Sequence, residues 1–320
     1  MLGSGLWGLG SDSYGEFSKE YAKNVIKYQI EKGISFFDTS DSYGDGRSEI
    51  ILGEVVSELN IRKDVSIATK VGLLPHRGFF MPSDFSLKHI QKKFQESLTN
   101  LKTSYLDIYQ LHSPSKNDLD SIKESMPWLI KKKEEGLIKN IGISARSPND
   151  AIFFLNNFSL DVIQCNFNLI DQRLIETGLL DYCKKNSIKI IARTPLAFGF
   201  LTGKLTSSKE QFTKNDHRYK WPQEQLDLWA SAHLEFKSIN EKLDLSPLAL
   251  AHQFIKFFKP TVFTTICGMH SFNEVDENIG SYYHCDELLN KTIFEIQKIY
   301  SSKKFFIDGI KSKGPQKLSN

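Results

Sequence analysis

The sequence predicts a single (β/α)8 barrel. Three observations carry that expectation: eight short runs rich in β-branched and aromatic residues, intervals between the later runs long enough for a helix each, and polar residues at or just past the ends of those runs. Parallel strands need crossovers of a dozen or more residues, usually helical, and eight alternations of strand and helix close naturally into a TIM barrel. An open doubly wound sheet is the alternative that the same alternation leaves standing. At 320 residues the chain exceeds the commonest domain size, but barrels of about 250 residues with insertions form one domain. We expect residues 1–300 to form the barrel. Residues 301–320 are rich in lysine, glycine and serine after Phe305 and Phe306, and read as a loosely ordered tail.

The predicted strands are Ser4–Gly8, Ser35–Thr39, Val65–Lys70, Tyr105–Leu111, Lys139–Ser144, Val162–Asn166, Lys189–Thr194 and Val262–Cys267. Between the first two, Lys19–Lys32 places Ala22, Val25, Ile26 and Ile30 on one helical face, with Ser18 as N-cap and Gly33 as the stop. Similar patterns predict helices at Ser48–Leu59, Leu87–Leu101, Leu119–Glu135, Pro148–Asn156, Gln172–Lys185, Gln223–Leu243, Pro247–Phe258 and Phe272–Gly280.

Composition narrows the function classes. Forty per cent apolar and 25% charged residues are ordinary for a globular protein, and a formal net charge of +3 with dispersed basic residues gives no footprint for nucleic acid or an anionic membrane. The tightest basic cluster, Lys131 to Lys133, runs directly into Glu134 and Glu135 and reads as a solvated helix face. No run approaches the roughly 18 apolar residues of a membrane span, and Met1 to Gly10 lacks the features of a secretory signal, so a cytoplasmic location is expected. Cys165, Cys183, Cys267 and Cys285 lie far apart without C-x-x-C spacing, which favours reduced thiols over a zinc site or redox pair.

If the barrel is right, chemistry belongs at its C-terminal mouth, where the strands end. The polar residues there are Asp38, Tyr43, Lys70, His112, Ser144, Gln164 and Arg193. Taken singly, each has an ordinary structural reading: Asp38 as a turn cap, Tyr43 as a loop aromatic, Lys70 as an exposed strand-end lysine, His112 as a structural histidine. Taken together they suit hydride transfer to a carbonyl, which builds charge on oxygen and needs a proton donor with fixed polarising groups. Tyr43 supplies a proton, Lys70 a charge that favours the phenolate, Asp38 a partner for Lys70, and His112 a second donor to the carbonyl oxygen.

The run from Phe37 to Glu49, Phe-Asp-Thr-Ser-Asp-Ser-Tyr-Gly-Asp-Gly-Arg-Ser-Glu, resembles the aldo-keto reductase signature that carries the catalytic aspartate and tyrosine. Ile67-Ala68-Thr69-Lys70 and Tyr109-Gln110-Leu111-His112 are similar to the strands bearing the family lysine and histidine. The likeness extends from about Gly3 to Gly280 and implies catalytic roles for Asp38, Tyr43, Lys70 and His112. It also implies cofactor contacts from Ser144 and Gln164 to the nicotinamide amide, with Ala145 where the family usually has asparagine. Arg193 stands where members stack a side chain on the nicotinamide. The loop from Pro195 and Leu196 through Gly199, Leu201, Gly203 and Lys204 resembles the one that folds over the pyrophosphate. Gly268, His270, Ser271, Glu274, Glu277 and Asn278 resemble the adenosine site; Gly5 and Trp7 are counted with the implied cofactor contacts, and Trp7 is also similar to the tryptophan or its neighbours that line the family's substrate site. His76, Arg77, Phe79 and Phe80 belong to a loop that overhangs the mouth in this fold.

The resemblance implies an NAD(P)H-dependent oxidoreductase that reduces an aldehyde or ketone, including a sugar or sugar derivative, or runs the reverse oxidation. A cofactor-sensing subunit of the kind associated with ion channels is the alternative. Family habit favours NADP(H). NAD(H) stays open because His270 replaces a common arginine and Glu274 a common glutamine or arginine, setting a carboxylate where a 2′-phosphate would sit. The expected partner is a small carbonyl or alcohol; the sequence assigns neither substrate nor oligomeric state.

Overall fold

The computed structural model describes residues 1–75 and 81–308. Its eight strands are β1 (Leu2–Gly5), β2 (Phe36–Asp38), β3 (Ser66–Val71), β4 (Leu106–His112), β5 (Ile138–Ser144), β6 (Val162–Asn166), β7 (Lys189–Arg193) and β8 (Val262–Cys267). All neighbours pair in parallel, and β1 pairs with β8 to close the barrel. The helices are α1 (Trp7–Gly10), α2 (Lys19–Glu31), α3 (Arg47–Glu58), α4 (Leu87–Asn100), α5 (Leu119–Glu134), α6 (Pro148–Leu155), α7 (Arg173–Glu176), α8 (Leu179–Lys185), α9 (Gln223–Ala232), α10 (Lys237–Leu243), α11 (Pro247–Lys256), α12 (Phe272–Tyr283) and α13 (Asn290–Ser302).

Strand alternation sorts the side chains. Phe36, Ala68, Ile108, Val162, Ile191 and Ile266 contact one another as a small apolar cluster separate from the larger core. Two residues further along these strands the same face carries Asp38, Lys70, Gln110 and Gln164, and further still His112 and Asn166. The barrel interior is thus an apolar plug topped by polar layers at the carboxyl ends of the strands. Gly142 lets β5 join this layering, because a Cβ there would lie 2.8 Å from Val162 O and 3.2 Å from Gln110 Cγ. The larger core fills the space between the barrel and the helices. Helix α2 shows the local rules at work: the Ser18 hydroxyl accepts from Tyr21 N at 3.1 Å, and Gly33 ends the turn at φ +93°.

Several elements differ from the sequence expectation, each for a physical reason. The first strand stops at Gly5, and residues 7–10 form a helical turn closed by Gly10 N donating to Leu6 O at 2.9 Å. That turn packs tightly, since a Cβ at Gly8 would meet His270 Nε2 at 2.1 Å and one at Gly10 would meet Ser48 Cβ at 2.2 Å. The helix expected over 172–185 breaks into α7 and α8 at Gly178, φ +73°. The one expected over 223–243 is interrupted by a 3-10 turn at His233–Phe236. Helix α13 was not anticipated, although Ile293, Ile296 and Tyr300 are buried at helical spacing. Of the tail expected to be loose, the stretch Phe305 to Ile307 is held: Phe305 and Phe306 are 2% and 7% exposed, and Gln225 holds the Phe305 carbonyl and the Ile307 amide. Residues 309–320 lie outside the described residues, as do His76, Arg77, Phe79 and Phe80. Among the described residues, no helix is long and apolar enough to cross a membrane.

Candidate active site

Lys70 is the centre of the polar layer. Its side chain is fully buried, and the ammonium donates to Asp38 Oδ1 at 2.5 Å, Thr39 O at 2.7 Å and Tyr43 Oη at 3.1 Å. Three donors meet three acceptors, so the charge is completely satisfied. Burial works against that charge, but Asp38 and then Tyr43 outweigh it and hold the ammonium above its ordinary value. The second oxygen of Asp38 accepts from Gln164 Nε2 at 2.7 Å and Gln110 Nε2 at 3.5 Å, and Gln164 Oε1 accepts from the Ser144 hydroxyl at 2.8 Å. The chain Ser144, Gln164, Asp38, Lys70, Tyr43 is therefore continuous across β5, β6, β2, β3 and the loop after β2.

Local backbone places Tyr43 over this chain. Its N–H donates to Ser40 O at 3.2 Å, and Gly44, at φ +60°, passes so close to the α1 turn that a Cβ would lie 2.0 Å from Gly10 O. The His112 ring lies 5.7 Å from the Tyr43 ring at 79°, and its Nδ1 is 3.0 Å from Ser40 Oγ and 3.4 Å from Ser42 Oγ. Asp38, Tyr43, Lys70 and His112 are thus brought together.

Above them opens a cavity of about 650 Å³, within the usual range for a small-molecule or cofactor site. Of the residues singled out in the sequence, Gly5, Trp7, Asp38, Tyr43, Gln164 and Arg193 line its floor, and Pro195, Leu196, Gly199 and Lys204 line one wall. Gly268, His270, Ser271, Glu274, Glu277 and Asn278 line the far end. Lys70, His112 and Ser144 sit behind this lining and touch it through Tyr43 and Gln164. Leu201 and Gly203 do not line the cavity. Leu201 is buried with its N–H on Leu196 O, and Gly203, at φ +74°, faces His233.

The wall after β7 is unusual backbone. Thr194, Ala197 and Phe198 all adopt positive φ, at 51°, 46° and 61°, ahead of Gly199 at 96°. Left-handed non-glycine residues cost energy and concentrate at binding sites. Lys204 closes this wall onto α12 by pairing with Glu277 at 2.5 and 2.6 Å. At the far end, Ser271 caps α12 by accepting from Glu274 N at 3.2 Å, while Glu274 Oε2 accepts from His270 N at 2.6 Å. Burial pushes the Glu274 carboxyl up, yet its contacts with His270 outweigh this and leave it below the usual carboxylate range. The His270 ring stacks on Tyr14 with centroids 4.8 Å apart and on Phe17 at 5.9 Å. Asn278 is held by His252, Cys267 and the Glu274 carbonyl.

Sequence reasoning missed three groups in the cavity. Arg218 lines it with a guanidinium fixed by Asp216 at 2.7 and 3.0 Å and by Phe198 O at 3.2 Å, and lies 4.7 Å from the Tyr14 ring. Asn166 lines it two residues beyond Gln164 on the same strand face, a position that period two predicts. Tyr14, Phe198, Trp221 and Trp229 form an aromatic wall, assembled from separate stretches of the chain that no single periodic pattern announces.

The cavity fits a nicotinamide dinucleotide. Arg193 Nε and Thr194 Oγ1 are buried without a hydrogen-bond partner, so the floor presents polar atoms that a ligand amide would satisfy. Gly5 leaves open space, with nothing nearer than 3.8 Å to a hypothetical Cβ. Arg218 lies beside Gly199 and Lys204 lines the same cavity, so cations are at hand for anionic phosphates.

The fold and this arrangement define a (β/α)8 oxidoreductase. The aldo/keto reductase family model matches residues 1–301, and the chain belongs to that family. Its members are NAD(P)-dependent oxidoreductases, and so is this protein. It is 31% identical over 307 residues to L-galactose dehydrogenase of Arabidopsis thaliana, covering 93% of this chain and 89% of the relative. It is also 31% identical over 276 residues to the uncharacterized oxidoreductase YqkF of Bacillus subtilis, covering 85% of each. Among solved structures, a glycerol dehydrogenase from Gluconobacter oxydans superposes with a TM-score of 0.78 at 26% identity, covering 96% of this chain and 94% of that one.

Proposed function

We propose that the enzyme reduces an aldehyde or ketone to the alcohol, with Tyr43 giving the proton to the carbonyl oxygen. The observation that carries this reading is the buried Lys70 ammonium held between Asp38 and the Tyr43 phenol. Arg193 and Gln164 would hold the nicotinamide end of the cofactor, with Ser144 fixing Gln164 from behind, Lys204 and Arg218 the phosphates, and the start of α12 the adenosine. When bound, the cofactor supplies a hydride to the carbonyl carbon. As negative charge grows on the carbonyl oxygen, Tyr43 releases its proton there, and the adjacent Lys70 ammonium stabilises the phenolate left behind. Asp38 keeps Lys70 in place and balances its charge. His112 donates a hydrogen bond to the same oxygen from Nε2, since Nδ1 is engaged by Ser40.

Two relatives are named for polyhydroxy compounds, L-galactose and glycerol, which puts sugars and polyols in the first substrate panel. Four unpaired cysteine thiols suit a reducing compartment and support a cytoplasmic location. For the cofactor, we keep NADP(H) first and expect NAD(H) to be used with little discrimination, because the Glu274 carboxylate faces the adenosine end and no lysine or arginine is found in α12. Steady-state turnover of an aldehyde, ketone and sugar panel with NADPH and with NADH tests the reading. Turnover of at least one carbonyl is expected, and none with either cofactor would overturn it.

A further inference from the structure

Resting on the proposed role of His112, we infer that Asp41 and Ser40 form a proton-sensitive relay that sets which nitrogen of His112 carries the hydrogen. Asp41 is no part of the arrangement around Lys70; it lies behind it, 5% exposed. The Ser40 hydroxyl lies 3.1 Å from Asp41 Oδ1 and 3.0 Å from His112 Nδ1, and it accepts from Ser42 N at 3.2 Å. A serine hydroxyl has one hydrogen and two lone pairs. With one lone pair taken by Ser42 N–H, one hydrogen and one lone pair remain for Asp41, His112 and the Ser42 hydroxyl, which lies 3.0 Å from Ser40 Oγ and, at 3.4 Å, is the more distant partner of His112 Nδ1.

Two arrangements link Asp41, Ser40 and His112 through the shorter contacts, with the Ser42 hydroxyl turned aside. With Asp41 ionised, the Ser40 hydrogen points to the carboxylate and its lone pair accepts Nδ1–H, so a neutral His112 has no hydrogen on Nε2. With Asp41 protonated, the acid O–H points to Ser40, the Ser40 hydrogen turns to Nδ1, and the ring hydrogen resides on Nε2. Passing from the first to the second takes up one proton, at Asp41, and exchanges the ring hydrogen from Nδ1 to Nε2. No other bond changes. Of these two, the second gives neutral His112 the Nε2 hydrogen that its proposed role requires. Asp41 and Ser40 are therefore positioning residues.

The surroundings put this switch in a working range. Burial, then the charge of Glu49 from α3, push the Asp41 carboxyl up to about 7, against the Ser40 hydroxyl, the Lys93 charge from α4 and the Ser42 amide. Tyr109 of β4 faces the same two acids; its hydroxyl is buried without a partner and its pKa is raised. From β3 comes the Lys70 carbonyl, 3.5 Å from Asp41 N. Glu49 is itself held by Thr69 at 2.6 Å and Asn100 at 3.2 Å. Around His112 stand the Tyr43 phenol and the Ser42 hydroxyl, and Lys70 lies beyond Tyr43.

The test is nitrogen-15 NMR of histidine-labelled full-length protein, with the His112 signals identified by their absence in His112→Gln. Across about pH 6 to about pH 8 the parent is expected to move from the Nε2–H to the Nδ1–H tautomer. Asp41→Asn, whose amide can donate permanently to Ser40, should stay in the Nε2–H form throughout, and Ser40→Ala should lose the pH dependence while Ser42→Ala keeps it. In parallel, kcat/KM for glyceraldehyde reduction should fall about tenfold over that range in the parent, as for one proton titrating near 7, and stay flat in Asp41→Asn. Thermal melts establish that each variant folds, and Ser40→Ala carries the test if Asp41→Asn does not. A parent tautomer that ignores pH, or an Asp41→Asn variant that follows the parent, overturns the relay. Because NMR needs no turnover, the relay can fail while the proposed reduction stands, and the reverse.

Discussion

A lysine with no solvent exposure survives in a protein interior only if every donor is met and its charge is balanced. Lys70 meets both conditions through Asp38, Thr39 and Tyr43, and so its removal is informative. Lys70→Met should lose turnover and also destabilise the fold by about 3–5 kcal/mol, the usual cost of leaving a buried carboxylate without its partner. Urea denaturation with a parallel activity assay checks both, and unchanged stability would mean that Asp38 does not depend on Lys70. Asp41 gives a separate pH prediction. Its folded-state value near 7 lies above its ordinary 3.8, so the fold favours the protonated acid. That stability is fully present below about pH 4 and is lost as pH rises through about 7. Asp41→Asn escapes the loss, so its stability relative to the parent should increase from about pH 5 to about pH 8 in urea melts; an equal difference at both pH values would contradict the raised carboxyl. The residues around Lys70 were legible in the sequence because strand alternation and the run Phe37–Glu49 place them on one interior face. Ser40 and Asp41 stood in that same run and were passed over, since their roles depend on hydroxyl geometry that sequence does not express.

At the scale of elements, the start of α12 shows how one sequence pattern can be read two ways. Ser271 and Glu274 are spaced as a capping box; Ser271 accepts the Glu274 N–H, while the Glu274 carboxylate accepts from His270 N, one residue before the N-cap. The sequence reading set Glu274 against the cofactor ribose. The structure engages one of its oxygens with the His270 amide and leaves the residue on the cavity wall. A glutamine can accept the same hydrogen bond without the charge, so Glu274→Gln should keep the helix intact and raise the affinity of NADPH relative to NADH. Fluorescence titration of both cofactors measures the ratio, and an unchanged ratio would mean that Glu274 does not face the ribose. Helix α2 was legible from its cap and periodic apolar face, and α4 from a similar pattern. Residues 205–222 were not, because that stretch is held by side-chain contacts such as Arg218 with Asp216, which leave no period to detect.

Across the whole molecule, the barrel acts as a set of layers. An apolar plug fills its lower interior, a charged and amide layer sits above, and the cavity opens over both. Eight parallel strands were countable from their spacing, and with them the end of the barrel that carries the site. Breaks at Gly178 and at His233–Phe236, and the burial of Phe305 and Phe306, arise from packing between distant segments and were not. The central claim is that Tyr43 delivers the proton during carbonyl reduction while the rest of the site holds the cofactor. Single-turnover hydride transfer in Tyr43→Phe, started by mixing carbonyl substrate with the enzyme bound to reduced cofactor, tests it most directly. The account predicts a rate about 10²- to 10⁴-fold below the parent with cofactor affinity unchanged; a rate equal to the parent's would contradict it.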